Sequence, residues 1–294
     1  MAATLPPRPA LAFGERTHVM GVINLTPDSF SDGGRIRGPE PALQAARRMV
    51  AQGATLLDLG AQSTRPGAED IGTDTELARL LPALELIRSA LPEVLLSIDT
   101  FRAPVAAAAL AVGADWLNDV SAGRLDPELL AVAASWGCPL VLMHSRGDSR
   151  SMDSLTAYGD LVDDVIAELQ DASRRAQAAG VAASQLVWDP GLGFAKSEAQ
   201  CLALLDGLGR LRAQGYPLLV GPSRKRFIGA VLGEPRPRAR VWGTAAVVCK
   251  AIAAGADIVR VHDVGPIVQT ARMADALWRK QTPTQDGAEF DPTG

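Results

Sequence analysis

Short apolar runs in this chain repeatedly end in residues that bind or catalyse. Asn24 ends the first run and Asp58 sits in the second; Asp99 ends the third and Asn118-Asp119 the fourth. His144, Asp189, the turn Ser223-Arg224-Lys225 and the segment Arg260-Val261-His262-Asp263 follow the remaining four. Two kinds of chemistry are represented. Asp99, Asn118 and Asp189 are short acceptors behind apolar runs, suited to a planar heterocycle whose edge donates parallel hydrogen bonds. Such an edge would offset the cost of burying a carboxylate. Arg65, Lys225, Arg260 and His262, with Asn24 and Thr64, offer donors for a diphosphate. Taken singly, an Asp at such a place reads as a helix N-cap or an ion-pair partner; converging from every run, the set reads as a site.

The cations are not surface filler. Four lysines stand against 25 arginines, and one of the four is Lys225, in a Ser-Arg-Lys-Arg turn that opens a helix. Arg224 and Arg226 read equally well as a surface charge cluster. Of three histidines, His18 precedes the first run and reads as structural, and His144 as a satisfied core residue. His262 sits two residues from Arg260, so both face one side; it could bind phosphate as imidazolium or as a neutral donor. No HExxH or His–Cys spacing points to zinc, whereas Mg2+ bridging a diphosphate and one or two protein oxygens suits this inventory.

These groups need a frame that gathers them. The runs 19–25, 56–59, 94–98, 116–118, 140–143, 186–188, 218–220 and 258–261 do not alternate polar and apolar, so they read as strands of a parallel sheet buried on both faces. Between them lie helical patterns, such as Leu77, Leu80, Leu81, Leu84 and Ile87, preceded by a capping box at Thr73 and Glu76. Leu204, Leu205, Leu208 and Leu211 form another. Gly53, Gly113 and Gly255 stand where left-handed C-caps are wanted. Eight such units predict an α/β fold, a single-domain (β/α)8 TIM barrel over 17–280, with a doubly wound open sheet as the alternative. Residues 1–16 form an extension over the barrel base and 281–294 a polar tail.

A net charge of −4 without a basic face excludes a general nucleic-acid binder. No apolar run reaches membrane-span length, and the N-terminus shows no signal-peptide core. Cys138, Cys201 and Cys249 are widely spaced and read as buried thiols, so the sequence predicts a cytoplasmic protein.

The run Met20-Gly21-Val22-Ile23-Asn24-Leu25-Thr26-Pro27-Asp28-Ser29-Phe30-Ser31-Asp32-Gly33-Gly34 resembles the first signature of the dihydropteroate synthase family. Later motifs resemble the same family in the same order: Ser97-Ile98-Asp99-Thr100, Asn118-Asp119-Val120, Leu142-Met143-His144, Asp189-Pro190-Gly191-Leu192-Gly193-Phe194, Ser223-Arg224-Lys225 and Arg260-Val261-His262-Asp263-Val264. The resemblance runs from about 17 to 280. It implies a pterin pocket of Asp99, Asn118, Met143, Asp189, Phe194, Gly221, Lys225 and Arg260. It places Asn24 on magnesium, and Thr64, Arg65, Arg260 and His262 on the diphosphate side. Phe30, Thr64, Pro66, Ser223 and Lys225 would border p-aminobenzoate, for which sulfonamides would compete, and the chain would form a homodimer. One departure stands out: many members carry Glu where this chain has Gln62.

The implied reaction joins 6-hydroxymethyl-7,8-dihydropterin diphosphate to p-aminobenzoate, releasing pyrophosphate. The inventory favours leaving-group stabilisation over base catalysis. The segments 26–34 and 58–68 would close over the site to exclude water. A pterin-dependent methyltransferase would need no diphosphate subsite, and a Schiff-base aldolase would need a partner base for Lys225. A non-catalytic pterin-binding paralogue is the third alternative, favoured only by Gln62.

Overall fold

The computed structural model describes residues 11–26, 38–65 and 67–279. Phe30, Pro66, nearly all of the predicted 26–34 lid and the 281–294 tail therefore lie outside the described residues. Eight strands form one parallel sheet: β1 (His18–Asn24), β2 (Leu56–Gly60), β3 (Leu95–Asp99), β4 (Trp116–Asp119), β5 (Leu140–Met143), β6 (Leu186–Asp189), β7 (Leu219–Val220) and β8 (Ile258–Val261). They pair in the order β6-β5-β4-β3-β2-β1-β8-β7. A parallel bridge between Trp188 and Leu218 brings the two ends of that order together, so the sheet curls into the expected (β/α)8 barrel and the open-sheet alternative falls.

Helices return the chain between strands: α1 (Pro39–Ala51), α2 (Gly72–Ala90), α3 (Ala103–Ala111), α4 (Glu128–Trp136), α5 (Leu161–Ala178), α6 (Glu198–Asp206), α7 (Leu208–Arg212), α8 (Arg226–Leu232), α9 (Val241–Ala253) and α10 (Val264–Trp278). Met20, Leu56, Leu95, Trp116, Val141, Val187, Leu219 and Ile258, one from each strand, fill the barrel floor, and Leu11 and Phe13 pack against them. The outward strand residues join the helices in a second, larger core. This double burial explains the unalternating apolar runs. Gly53, Gly113 and Gly255 all hold positive φ just past α1, α3 and α9, where the helix must turn back toward a strand.

Two local expectations are corrected. Residues 73 and 76 make no capping box: α2 starts at Gly72 without a side-chain cap, and Glu76 is fully buried in an ion pair with Arg102. The helix over 204–211 is broken at Gly207, where a side-chain carbon would come within 2.4 Å of Val162 on α5. α5 packs against the point where α6 gives way to α7, and only a residue without a side chain fits there; all four leucines stay buried.

Arg88 on α2 joins three elements. Its guanidinium donates to Gly113 O at 2.9 Å and Val94 O at 2.8 Å, and meets Asp115 Oδ2 at 2.6 Å. It so anchors the approaches to β3 and β4, the strands that carry Asp99 and Asn118. Arg88→Leu leaves a nearly buried carboxylate and several carbonyls without their cation. The expected loss is about 3 kcal/mol, read as a fall in Tm on the order of 10 °C; a change of under about 2 °C in a thermal melt would refute the clip.

Candidate active site

A parallel barrel sends the C-terminal ends of all its strands to one rim. There a cavity of about 490 Å³ is lined by every described candidate: Asn24, Thr64, Arg65, Asp99, Asn118, Met143, Asp189, Phe194, Gly221, Ser223, Lys225, Arg260 and His262.

Its floor is acidic. Arg260 on β8 donates through Nε to Asp58 Oδ2 at 2.6 Å and through Nη2 to Asp99 Oδ2 at 2.7 Å. Asn118 adds a bond to the same Asp58 oxygen at 3.0 Å. One guanidinium thus serves two carboxylates, and two of its donor groups are spent on them rather than on a diphosphate. The other oxygens of Asp58 and Asp99 are buried with no partner among the described residues, so Asp99, in the cavity wall, still has an acceptor to offer a ligand. Burial, opposed by Arg260 and reinforced by the Asp58 charge, pushes the Asp99 carboxyl up to about 7.

Asp189 ends β6 on the same side, accepting from Gly191 N at 2.7 Å. Burial raises its pKa while the Lys225 ammonium opposes the rise. Lys225 is drawn down to about 8 by burial, with Asp189 acting the other way. Its ammonium donates to Leu192 O and lies 4.7 Å from the Phe194 ring centroid. Gly221 lies between Asp189 and Arg260; a Cβ there would come within 3.9 Å of both. Met143, buried at the end of β5, adds apolar wall.

Across the cavity the groups are donors. His262 is pushed well below its usual range by burial and by the charges of Arg224, Arg260, Arg65 and Lys225. It is therefore neutral, which decides between the two forms the sequence left open. Ser223 Oγ accepts from His262 N at 3.1 Å and lies 2.9 Å from Nδ1, while Asn24 Nδ2 lies 3.4 Å from Nε2. With its nitrogen toward the imidazole, the Asn24 amide presents its oxygen on the other side. The described residues hold no cluster of three or more His, Cys, Asp or Glu that could grip a metal. One hard amide oxygen fits a magnesium ion that draws its other ligands from substrate oxygens and water.

The segment carrying Thr64 and Arg65 is tied down. Gln62 Nε2 donates to Ser63 O at 2.8 Å and Glu69 O at 2.9 Å, and its Oε1 accepts from Ile71 N at 3.1 Å. Gly67 N donates to Ser149 O at 2.7 Å, so the segment also rests on the loop after β5. Both arginines of the Ser-Arg-Lys-Arg turn line the cavity, but only Arg226 takes the surface role, pairing with the exposed Asp153, whereas Arg224 is largely buried in a two-point contact with Asp263. His18 bonds to Ala12 O at the opposite end of the barrel, as a structural residue would. Sequence reasoning placed Asp58 among the converging residues without giving it a role, and left Gln62 and Lys196 out of the site. The signals were there: a lone acid inside an apolar run, a departure from the family pattern, and one of only four lysines.

Comparison with known proteins gives concordant results. The pterin binding enzyme family matches residues 20–262. A dihydropteroate synthase of Synechocystis is 50% identical over 267 residues, covering 91% of this chain and 92% of that protein. The Yersinia pestis dihydropteroate synthase, solved with a sulfonamide drug, superposes with a TM-score of 0.87 at 40% identity, covering 90% of this chain and 96% of that one. The Xanthomonas albilineans enzyme, solved with 7,8-dihydropteroate, gives 0.81 at 38% identity, covering 92% and 97%.

The raised carboxyl of Asp99 sets a pH dependence. Unfolded, the group ionises near 3.8; folded, it keeps its proton to about 7. In that window the folded chain binds more protons than the unfolded one, so this group's contribution to stability falls as pH rises and levels off above about 7. Asp99→Asn removes the titration. The urea midpoint of the wild type, taken relative to this variant, should drop between about pH 5 and about pH 7.5; a constant difference would show that Asp99 is ionised throughout.

Proposed function

Because the chain belongs to the pterin-binding enzymes, and among them to the dihydropteroate synthase family of transferases, we propose that it condenses 6-hydroxymethyl-7,8-dihydropterin diphosphate with p-aminobenzoate. The observation that carries this reading is the division of one cavity into a buried acceptor floor and a rim of donors. Asp99, Asn118 and Asp189 match the donor-rich edge of a pterin, with Met143 and Phe194 as apolar walls and Gly221 leaving room beside Asp189. Thr64 and Arg65 match a diphosphate, whereas neutral His262, with Asn24 Nδ2 toward its Nε2, spends its one N–H on Ser223 Oγ. Ser223 and Lys225 would border the amine substrate, with which sulfonamides would compete.

In the reaction the bond between the pterin methylene carbon and the diphosphate oxygen breaks, its electron pair leaving with pyrophosphate. The amine nitrogen bonds to that carbon and gives up a proton. The electron-rich ring stabilises positive charge on the methylene, so the chain's task is to hold the ring and neutralise the departing oxygens. Arg260 keeps the acid floor ionically balanced beneath the ring, and Arg65 and Thr64 donate to the leaving group. Magnesium, held through Asn24, supplies further charge neutralisation when bound. Gln62 gives no support to a non-catalytic paralogue, because its amide holds the Thr64–Arg65 segment in place by three bonds.

The three cysteines are free thiols, Cys138 and Cys201 buried as expected and Cys249 only partly so, which supports the cytoplasmic assignment; no helix among the described residues is long and apolar enough to cross a membrane. A homodimer is supported by apolar side chains exposed on neighbouring helices: Val231 and Leu232 on α8, Trp242 (77% exposed) on α9, and Met273 and Leu277 on α10.

Pyrophosphate release from the pterin diphosphate, with magnesium, should depend on p-aminobenzoate and yield dihydropteroate; release without the amine, or none, would overturn the assignment. Removing magnesium with EDTA should suppress turnover. Asp189→Asn should lower kcat/KM by about 10²-fold or more, the scale of losing a charged hydrogen bond in a buried site. For the dimer, light scattering should give twice the chain mass, and Trp242→Glu should shift it to the monomer; a monomeric wild type would refute the interface.

A further inference from the structure

Lys196 takes no part in the steps above, yet it lines the same cavity and is only 4% exposed. Its Nζ lies 2.8 Å from His144 Nδ1, 3.0 Å from Phe194 O and 3.2 Å from Gly191 O. Burial draws its pKa down to about 7; in the ammonium form it has three protons to donate and accepts nothing, so these three contacts use it completely. They also decide the state of the imidazole. Burial pulls His144 down to about 4, leaving the ring neutral with a single N–H. Its Nε2 lies 3.1 Å from Glu168 Oε2, a contact close enough for the carboxylate charge to favour the proton on that side though not aligned as a hydrogen bond. Nδ1 is then an acceptor, turned toward Lys196. Glu168 is itself held by Arg146, whose Nε donates to Oε1 at 2.9 Å.

The segment that Lys196 grips is the one that shapes the heterocycle pocket. Gly191 is docked so closely on β5 that an added Cβ would stand 1.9 Å from His144 O, and its φ is +67°. Phe194 forms a wall and faces the Lys225 ammonium. The carbonyl of Leu192, between them, accepts from Lys225, and that of Ala195 accepts from Tyr158 at 2.9 Å. The turn therefore points its carbonyls inward, which is stable only while buried donors meet them.

We propose that Lys196 is a positioning residue for the pterin: anchored on His144 and Glu168, it holds the Gly191–Phe194 turn so that Phe194 and the Asp189 end of β6 admit the ring. The inference rests on the reading of the cavity as a pterin site. Lys196 does not touch the reacting atoms; it acts through Phe194 and through the turn that also bonds Lys225. A group of this kind governs how tightly the ring is held more than how fast the bound ring reacts.

Binding of 6-hydroxymethylpterin by calorimetry tests this, beside steady-state kinetics and a thermal melt. Lys196→Met should weaken pterin binding by about tenfold or more and raise KM for the pterin diphosphate in parallel, with kcat at saturation within about threefold of wild type. A purely structural role would instead lower Tm and the active fraction while leaving the affinity of the folded protein unchanged. Two histidine variants give the same answer should Lys196→Met fail to fold. His144→Asn places an amide oxygen where Nδ1 stands and should keep affinity within about threefold, whereas His144→Leu, which removes the acceptor, should lose about tenfold. A folded Lys196→Met that binds as well as wild type, or equal losses in both histidine variants, overturns the inference alone. A wild type that binds no pterin overturns the reading of the cavity and this inference with it.

Discussion

The guanidinium of Arg260, set between the carboxylates of Asp58 and Asp99 inside a closed ring of strands, is the interaction on which the site depends. Asp58 is fully buried in β2, Asp99 ends β3 and Arg260 sits on β8, separated from β2 only by β1. Neither acid could stand so deep unpaired, and one cation cannot fully satisfy two. The deficit is useful. It leaves acceptor capacity on Asp99 and keeps its proton affinity high, so the floor is poised for a ligand that donates.

The rim is organised by the opposite constraint. Burial first, and then the positive charges of Arg224, Arg260, Arg65 and Lys225, hold His262 neutral. Arg224 is in turn balanced by Asp263. The structure thus separates Arg224 and Arg260, which are paired with carboxylates, from Lys225, which among the described residues is not, although all three line the cavity. The sequence alone cannot draw that line, because Arg224 and Lys225 are neighbours in one turn whose side chains go to different partners.

Much of this was legible before any coordinates. The eight runs match the observed strands to within about a residue at most ends, because a parallel strand buried on both faces leaves an uninterrupted apolar stretch. The rim residues followed from those ends. What escaped depended on partners distant in sequence. Glu76 has the spacing of a capping residue, but Arg102, on the approach to α3, claims it. Gly207 looks innocuous within a leucine pattern until Val162 presses on it. Lys196 resembles any lysine beside a glycine-rich turn; its meaning lies in His144, just past the end of β5, and Glu168 from a helix. The Gln62 amide is a contrasting case. It departs from a family pattern, yet its donors meet two carbonyls of its own loop.

At the opposite mouth of the barrel, Arg279 Nη1 bonds to Gly14 O at 3.0 Å and Thr17 bonds to Asp275 of α10, so the beginning and end of the described chain lie side by side. The two are held together on the face remote from the cavity. A short linker from Arg279 to Leu11 would close the polypeptide into a circle without crossing the substrate entrance, and new ends could be opened in a helix-to-strand turn on that same remote face. Circular permutation, or grafting of another module at this corner, would thus alter the order of the chain while sparing the chemistry.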